Sequence, residues 1–206
     1  IDSNMIFSNQ EYNDIIYPLN NPIKSSGHIT IFYGNICENG SVGKITGKQG
    51  LYFKGKAKVY NSQDEYMDAF RNGDIKKPLN GEKYIIIIRY EGPKGGPGMP
   101  EMLSPTATLV GAGLLNDYAL ITDGRFSGAS HGFIIGHVSP EAFDGGNLAL
   151  INNNDIIEID TDKREINILI DDNELNKRRI QWNKNKPKPR FNSGVLAKYI
   201  QTVKSA

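Results

Sequence analysis

The chain has 206 residues with 24 Lys and Arg against 23 Asp and Glu, a formal net charge of +1, and enough length for one large domain or two small ones. A hydrophobic core at this size holds without staples. The single cysteine, Cys37, excludes an intrachain disulfide framework and any four-thiolate zinc or iron–sulfur site built by this chain alone.

No apolar run approaches the roughly 20 residues that cross a bilayer, and the opening IDSNMIFSNQ lacks the basic flank and apolar stretch of a secretion signal. The expectation is a polypeptide neither membrane-spanning nor secreted. In chain order, HITIFY at 28–33 is the first strand candidate. Phe53, Gly55, Ala57 and Val59 then alternate with Lys54, Lys56, Lys58 and Tyr60, the period of a strand with one buried and one wet face. Ser62 and Glu65 form a capping box ahead of Tyr66, Met67 and Phe70, and Gly73 ends that helix. YIIIIRY at 84–90 is apolar on both faces, as a strand covered on both sides would be. Ser104 as N-cap and Pro105 at the first helical position open a second helix through Leu109 toward Gly113. YALIT at 118–122, FIIGHV at 133–138, LALI at 148–151, IIEI at 156–159 and INILI at 166–170 are further strands, most bounded by Gly, Asn or Asp turn signals. A short helix spans about 174–182, and a last one begins near Ser193 and buries Leu196, Tyr199, Ile200 and Val203 at helical spacing. Short strands that do not alternate regularly with helices favour a strand-rich α+β domain, a closed or nearly closed barrel-like mixed β-structure with about four flanking helices, over a doubly wound nucleotide fold.

Charge is segregated near the end, with residues 155–174 mostly acidic and the charges of 177–190, including KNKPKPR, all basic. With an acidic neighbour and Trp182 as the aromatic available for stacking, this reads as a solvated connecting segment and not as a nucleic-acid surface. His28, His131 and His137 match no metal-binding spacing.

Two segments carry residue types that chemistry needs. GPKGGPGMPEMLSPT at 92–106 is too rich in Gly and Pro for a helix or a ladder strand, so its backbone is shaped into a specific loop. That loop embeds Lys94 and Glu101 and feeds a helix N-terminus, where free amides favour an anion, yet it matches neither a P-loop nor GxGxxG. LITDGRFSGASHG at 120–132 places Ser127 among small residues just past a strand end, exposed as a nucleophile or base would be. GRFSG is not the GxSxG elbow of hydrolases. A triad of Ser127 with His137 or His131 and Asp123 can be drawn, and a hairpin turn with backbone hydrogen bonds fits the spacing equally well.

At these residues the chain resembles the C-terminal domain of the dihydroxy-acid/6-phosphogluconate dehydratase family. Matching blocks run through NPIKSSGHI, VGKITGKQGLYFKGKAKVY, RYEGPKGGPGMPEMLSPT, ALITDGRFSGASHGFIIGHVSPEA and GVLAKYIQTVKSA. The Pro after Gly96, the MLSPT after Glu101 and Phe126 favour a resemblance to dihydroxy-acid dehydratases, with a sugar-acid or 6-phosphogluconate dehydratase domain as the alternative within the family. Departures fall at GNICENG (34–40), Gly145-Gly146-Asn147 and Thr106-Ala107.

The resemblance implies a single swivelling β/β/α-type domain over 1–206, lacking an N-terminal domain that carries iron–sulfur cysteines and further magnesium ligands. It implies a hydro-lyase converting small 2,3-dihydroxy acids to 2-oxo acids in branched-chain amino-acid synthesis. Such an enzyme is a homodimer when complete, the chain alone is inactive, and neither nucleic acid nor membrane is a partner. It leaves the compartment open: cytoplasm for a bacterium, plastid or mitochondrion for a eukaryote. By position in the family motif Ser127 is the base and Glu101 a Mg²⁺ ligand; Lys94, Gly98, Arg125 and Gly128 are the substrate-site loop candidates. A strong base suits a weakly acidic C2 proton, and a Lewis acid suits a poor hydroxide leaving group. The competing classes are a stand-alone serine hydrolase using Ser127 and a non-catalytic binding module.

Overall fold

The computed structural model describes residues 17–23, 27–45, 50–128 and 131–205, so the chain start, residues 24–26 and 46–49 of the first two matching blocks, and 129–130 lie outside the described residues. The elements are β1 (Ile29–Phe32), β2 (Gly40–Lys44), β3 (Tyr52–Tyr60), α1 (Gln63–Arg71), β4 (Tyr84–Ile88), β5 (Glu101–Met102), α2 (Ser104–Gly111), β6 (Tyr118–Thr122), β7 (Arg125–Phe126), β8 (Ile134–Ser139), 3-10 turns at Ala142–Asp144 and Asn147–Leu150, β9 (Ile156–Asp160), β10 (Glu165–Ile168), α3 (Asp172–Lys184) and α4 (Gly194–Thr202).

Eight strands form one mixed sheet in the order β1-β2-β8-β6-β4-β3-β9-β10. Its centre, β3, β4, β6 and β8, is parallel throughout, with antiparallel β2 and β9 on either side. The sheet curls until its edges meet. Tyr33, just past β1, donates its N–H to the Arg164 carbonyl at 3.0 Å and accepts from the Ile166 N–H at 2.8 Å. The Asn35 side chain extends this seam by copying a strand residue: Nδ2 donates to the Ile168 carbonyl at 2.9 Å and Oδ1 accepts from the Ile168 N–H at 2.8 Å. Gly34 allows the approach, because a Cβ there would sit 2.2 Å from the Ile166 carbonyl oxygen.

Alternation sorts the side chains as expected. Phe53 and Ala57 of β3, Ile85 and Ile87 of β4, Ala119 and Ile121 of β6, and Ile157 and Ile159 of β9 fill the barrel. Ile86, Ile88 and Leu120 face outward beneath Tyr66 of α1 and Leu109 of α2. The doubly apolar YIIIIRY run is therefore a central strand covered on both faces.

Several expectations are corrected. LALI is a 3-10 turn whose residues are all buried, a plug in one barrel mouth and not a strand. Its carbonyls accept from the Arg89 guanidinium, at 2.7 Å for Ala149 and 3.0 Å for Ile151. Helix α2 has Leu103 at its N-cap with no side-chain cap bond, and Ser104 is already helical. In α4 only Ile200 is buried; Leu196 and Tyr199 are each 37 % exposed and Val203 is partly exposed. The loop at 92–106 does contain a ladder, two residues long, and its last residues are helical.

Strand β2, reading GSVGK, went unanticipated because its small residues are poor strand formers; Gly43 is required where a Cβ would stand 2.5 Å from the Phe32 ring. The basic segment is also more than a solvated connector. Arg178 bonds Asp155 and Glu174, Arg179 the Gly145 carbonyl, and Arg190 the buried Glu91.

The seam sets a stability test. Asn35→Ala removes the side-chain pairing from a strand edge and should cost about 2 kcal/mol in urea denaturation. Asn35→Asp should cost more, because it turns an acceptor toward the Ile168 carbonyl. Equal stability of all three proteins would show that the barrel closes without the asparagine.

Candidate functional site

Because β3, β4, β6 and β8 run parallel, their C-terminal ends open at one end of the barrel, where loops from separate parts of the chain converge. The glycine–proline loop leaves β4, the DGRFSG segment leaves β6, and the 139–147 segment leaves β8.

Two buried carboxylates organise these loops. Asp123, with 0 % exposure, accepts from the Glu91 N–H (2.9 Å), the Tyr90 N–H (3.1 Å) and the Ala142 N–H (2.9 Å). Glu141, also 0 % exposed, accepts from the Lys94 N–H at 3.0 Å and the Gly95 N–H at 2.9 Å. The glycines make room for this packing. A Cβ at Gly92 would lie 2.7 Å from a Glu141 oxygen, and one at Gly124 would lie 2.8 Å from Glu91. A third buried carboxylate, Glu91, takes the Gln63 N–H at the start of α1 (2.9 Å) and a paired contact from Arg190 at 3.0 and 3.1 Å.

Held at its base, the glycine–proline loop passes Gly98 in a left-handed conformation and reaches β5. There Glu101 pairs with Arg125 and Met102 with Phe126, and the Ser127 N–H donates to the Met102 carbonyl at 3.2 Å. This parallel ladder brings the two segments singled out in the sequence side by side. Glu101 is exposed, and Ser127 is half-buried beside a cavity of about 150 Å³ walled by Val42, Lys44, Phe126, Ile134 and His137.

Arg125 donates Nε–H to the Met99 carbonyl at 2.7 Å, fixing the loop just before Glu101. Lys44 donates its ammonium to the Gly128 carbonyl. Lys94 directs its ammonium to Asp144 at 2.8 Å, across to the 139–147 segment. His137 has a left-handed backbone, donates its N–H to the Gly124 carbonyl at 2.8 Å, and has its pKa lowered by burial and then by the Arg125 charge. His131 is exposed.

Electrostatics separates these groups by burial. Desolvation pushes Asp123 up to about 6 and Glu141 up to about 7, against the opposing effect of the amide N–H groups. Asp123 is thus engaged by backbone amides from two other loops, a structural task in place of the imidazole orientation that a triad would need. Glu91, Glu141 and Arg190 lie inside quoted blocks but were not singled out; the charged Arg89 and Glu91 within three residues of a doubly apolar strand are the signal that the sequence offered.

Among the described residues no group of three or more His, Cys, Asp or Glu side chains is clustered to hold a metal ion. Glu101 offers one hard oxygen ligand. Cys37 is buried, its thiol lies 3.6 Å from the Phe32 carbonyl, and burial pushes its pKa up to about 11, the opposite of a ligating thiolate.

Residues 14–206 match the family described as dihydroxy-acid/6-phosphogluconate dehydratase C-terminal. Among curated relatives, the chain is 54 % identical over 193 residues to the mitochondrial dihydroxy-acid dehydratase astD of Aspergillus terreus, covering 94 % of this chain and 31 % of that protein. It is 50 % identical over 196 residues to the mitochondrial dihydroxy-acid dehydratase of Saccharomyces cerevisiae, covering 95 % and 33 %. To the dihydroxy-acid dehydratase of Cytophaga hutchinsonii it is 53 % identical over 193 residues, covering 94 % and 33 %. The chain therefore spans about a third of the length of the curated relatives it matches. With a family match across nearly all its residues, the chain belongs to the dihydroxy-acid/6-phosphogluconate dehydratase family and corresponds to its C-terminal domain.

Proposed function

We propose that this chain is the part of a dihydroxy-acid dehydratase that supplies the general base and one Mg²⁺ ligand for converting 2,3-dihydroxy acids to 2-oxo acids in valine and isoleucine synthesis. The observation that carries it is the β5–β7 ladder, which sets Glu101 on β5 and Ser127 immediately past β7 at the loop-bearing end of the barrel. The reading includes a partner portion, an N-terminal domain of the same polypeptide bearing the cluster cysteines, in an enzyme that acts as a homodimer. Relatives about three times as long support the further domain.

Glu101 fits a hard cation as an exposed carboxylate, whereas Cys37 does not fit an iron–sulfur cluster, so cluster ligands belong outside this chain. When bound, the magnesium ion and the cluster supply Lewis acidity toward the substrate oxygens and the departing hydroxide. The protein's own residues manage the proton. Ser127 Oγ takes the proton from C2, the electron pair left there forms the C2–C3 double bond as hydroxide leaves C3, and the enol becomes the 2-oxo acid with net release of water. An alkoxide is costly, and the positive charge of Lys44, bonded to the carbonyl of the next residue, Gly128, lowers that cost. Val42, Phe126 and Ile134 beside Ser127 suit a short aliphatic substituent better than the hydroxylated chain of a sugar acid.

In the full-length enzyme, Ser127→Ala should lower turnover by at least about 10²-fold, the scale of general-base catalysis. Exchange of the C2 proton with solvent deuterium should vanish alongside it; persistent exchange would move the base to another group. Glu101→Gln should weaken Mg²⁺ binding and turnover together while leaving the absorption of the cluster unchanged. Unaltered Mg²⁺ affinity would make Glu101 a structural carboxylate.

A further inference from the structure

We propose that Asp123 and Glu141 are positioning residues that set the path of the glycine–proline loop, and through it the placing of Glu101 beside Ser127. The consequence for catalysis rests on the dehydratase reading; the consequence for the loop does not.

Five backbone N–H groups, those of Tyr90, Glu91, Lys94, Gly95 and Ala142, donate to these two carboxylates. Four of the five belong to residues 90–95, which lead from β4 into the loop, so its direction there is set by side chains of other segments, well before its short ladder at Glu101–Met102. Asp123 also ties that loop to the 139–147 segment while lying four residues before Ser127 in the chain. From this base the path to Glu101 runs through turn bonds of the loop itself, the Gly96 N–H to the Gly92 carbonyl at 2.7 Å and the Met99 N–H to the Gly96 carbonyl at 2.8 Å, with Lys94 held to Asp144 and the Met99 carbonyl held by Arg125. A displacement at Tyr90–Gly95 is therefore carried forward to Glu101.

An ionised carboxylate suits this work because every contact is with a donor, and a carboxylate is acceptor-only. An amide of the same shape would turn an NH₂ group toward an N–H. The charged groups around the pair are Glu91 and Arg89 for Asp123, Asp144 for Glu141, and each of the two for the other. The neighbouring cations are otherwise engaged: Arg190 bonds Glu91, Lys94 bonds Asp144, and Arg89 bonds the plug carbonyls.

Burial raises both folded pKa values above the ordinary carboxylate range, to about 6 for Asp123 and about 7 for Glu141. As pH falls through about 7 toward the ordinary carboxylate values, the folded protein takes up protons before the unfolded chain does. Acidification in that window therefore adds to global stability through these groups while removing acceptors from the loop. Loop order and fold stability change in opposite directions.

The test uses the full-length enzyme, with Glu141→Gln and Asp123→Asn each compared with wild type. Amide hydrogen exchange over residues 90–102, corrected for intrinsic rates, should speed at least about tenfold in both variants, and kcat should fall by a similar factor with KM within about twofold. A fall in melting temperature is expected in the variants, since an NH₂ group turned toward N–H donors leaves them unpaired, so exchange and kcat are read well below the melting temperature of each variant. In wild type, the same peptide should lose protection between pH 8 and pH 6 without a fall in melting temperature. Should one variant fail to fold, the other variant and the wild-type pH series carry the measurement. Unchanged protection of 90–102 in the folded variant and across that pH range overturns the proposal, as does a loss of kcat that only follows a loss of melting temperature. Absence of dehydratase activity in the wild-type enzyme would defeat the functional reading and leave the exchange result to decide this one.

Discussion

Buried backbone amides at the loop-bearing end of a barrel must find acceptors without help from bulk water, and in this protein carboxylates meet much of that demand. Asp123, Glu141 and Glu91 lie where β4, β6 and β8 finish, and each bonds backbone N–H groups from a different segment. The parallel order of the central strands creates the requirement, since it turns several chain ends toward one place with few ladder partners left. The glycines of the loop follow from the same need: they are spaces that carboxylates and backbone occupy, and little of the glycine content near Glu91 and Glu141 is left for contact with a ligand.

A second layer secures this end from outside. Helix α3 and the segment after it cross the loop cluster, with Trp182 donating to the Tyr90 hydroxyl at 3.2 Å and Arg190 donating to the Tyr90 carbonyl at 3.0 Å. Beyond α4, the Ser205 hydroxyl accepts from the Glu141 N–H at 2.9 Å. The C-terminal fifth of the chain thus acts as a strap over the loops. Most of its residues are exposed or half-buried, and directed bonds such as those of Trp182, Arg190 and Ser205 keep it in place.

Much of this was legible in the sequence wherever side-chain period governs. The alternating Lys and apolar residues of β3, the doubly covered β4 and the capping box of α1 all appear as read; Ser62 Oγ accepts from the Glu65 N–H at 3.1 Å. The back-bond of Glu65 goes one residue further, to the Asn61 N–H at 2.6 Å. Period fails where burial is complete, because LALI is buried on every side and a short apolar run cannot announce its geometry. It fails again at β2, where the Phe32 ring dictates Gly43 from across the sheet. In the site, residue type and loop chemistry picked out Glu101 and Ser127, but their pairing through a two-residue ladder depends on contacts that local sequence does not encode. The supporting carboxylates stayed hidden for a related reason: an isolated Glu or Asp in sequence reads as surface until the fold encloses it.

The closing seam also has a kinetic side. Asn35 reaches Ile168 across a separation of 133 positions, and Tyr33 meets Glu165 over a similar span. Contacts this distant in sequence carry a large loop-closure entropy and form slowly. In the finished barrel β1 still presents Ile29 and Ile31 to solvent, because the seam bonds fall past its end, at Tyr33 and Asn35. The seam thus joins the two ends of the sheet without covering this apolar strip, which remains an edge open to other chains in the folded protein.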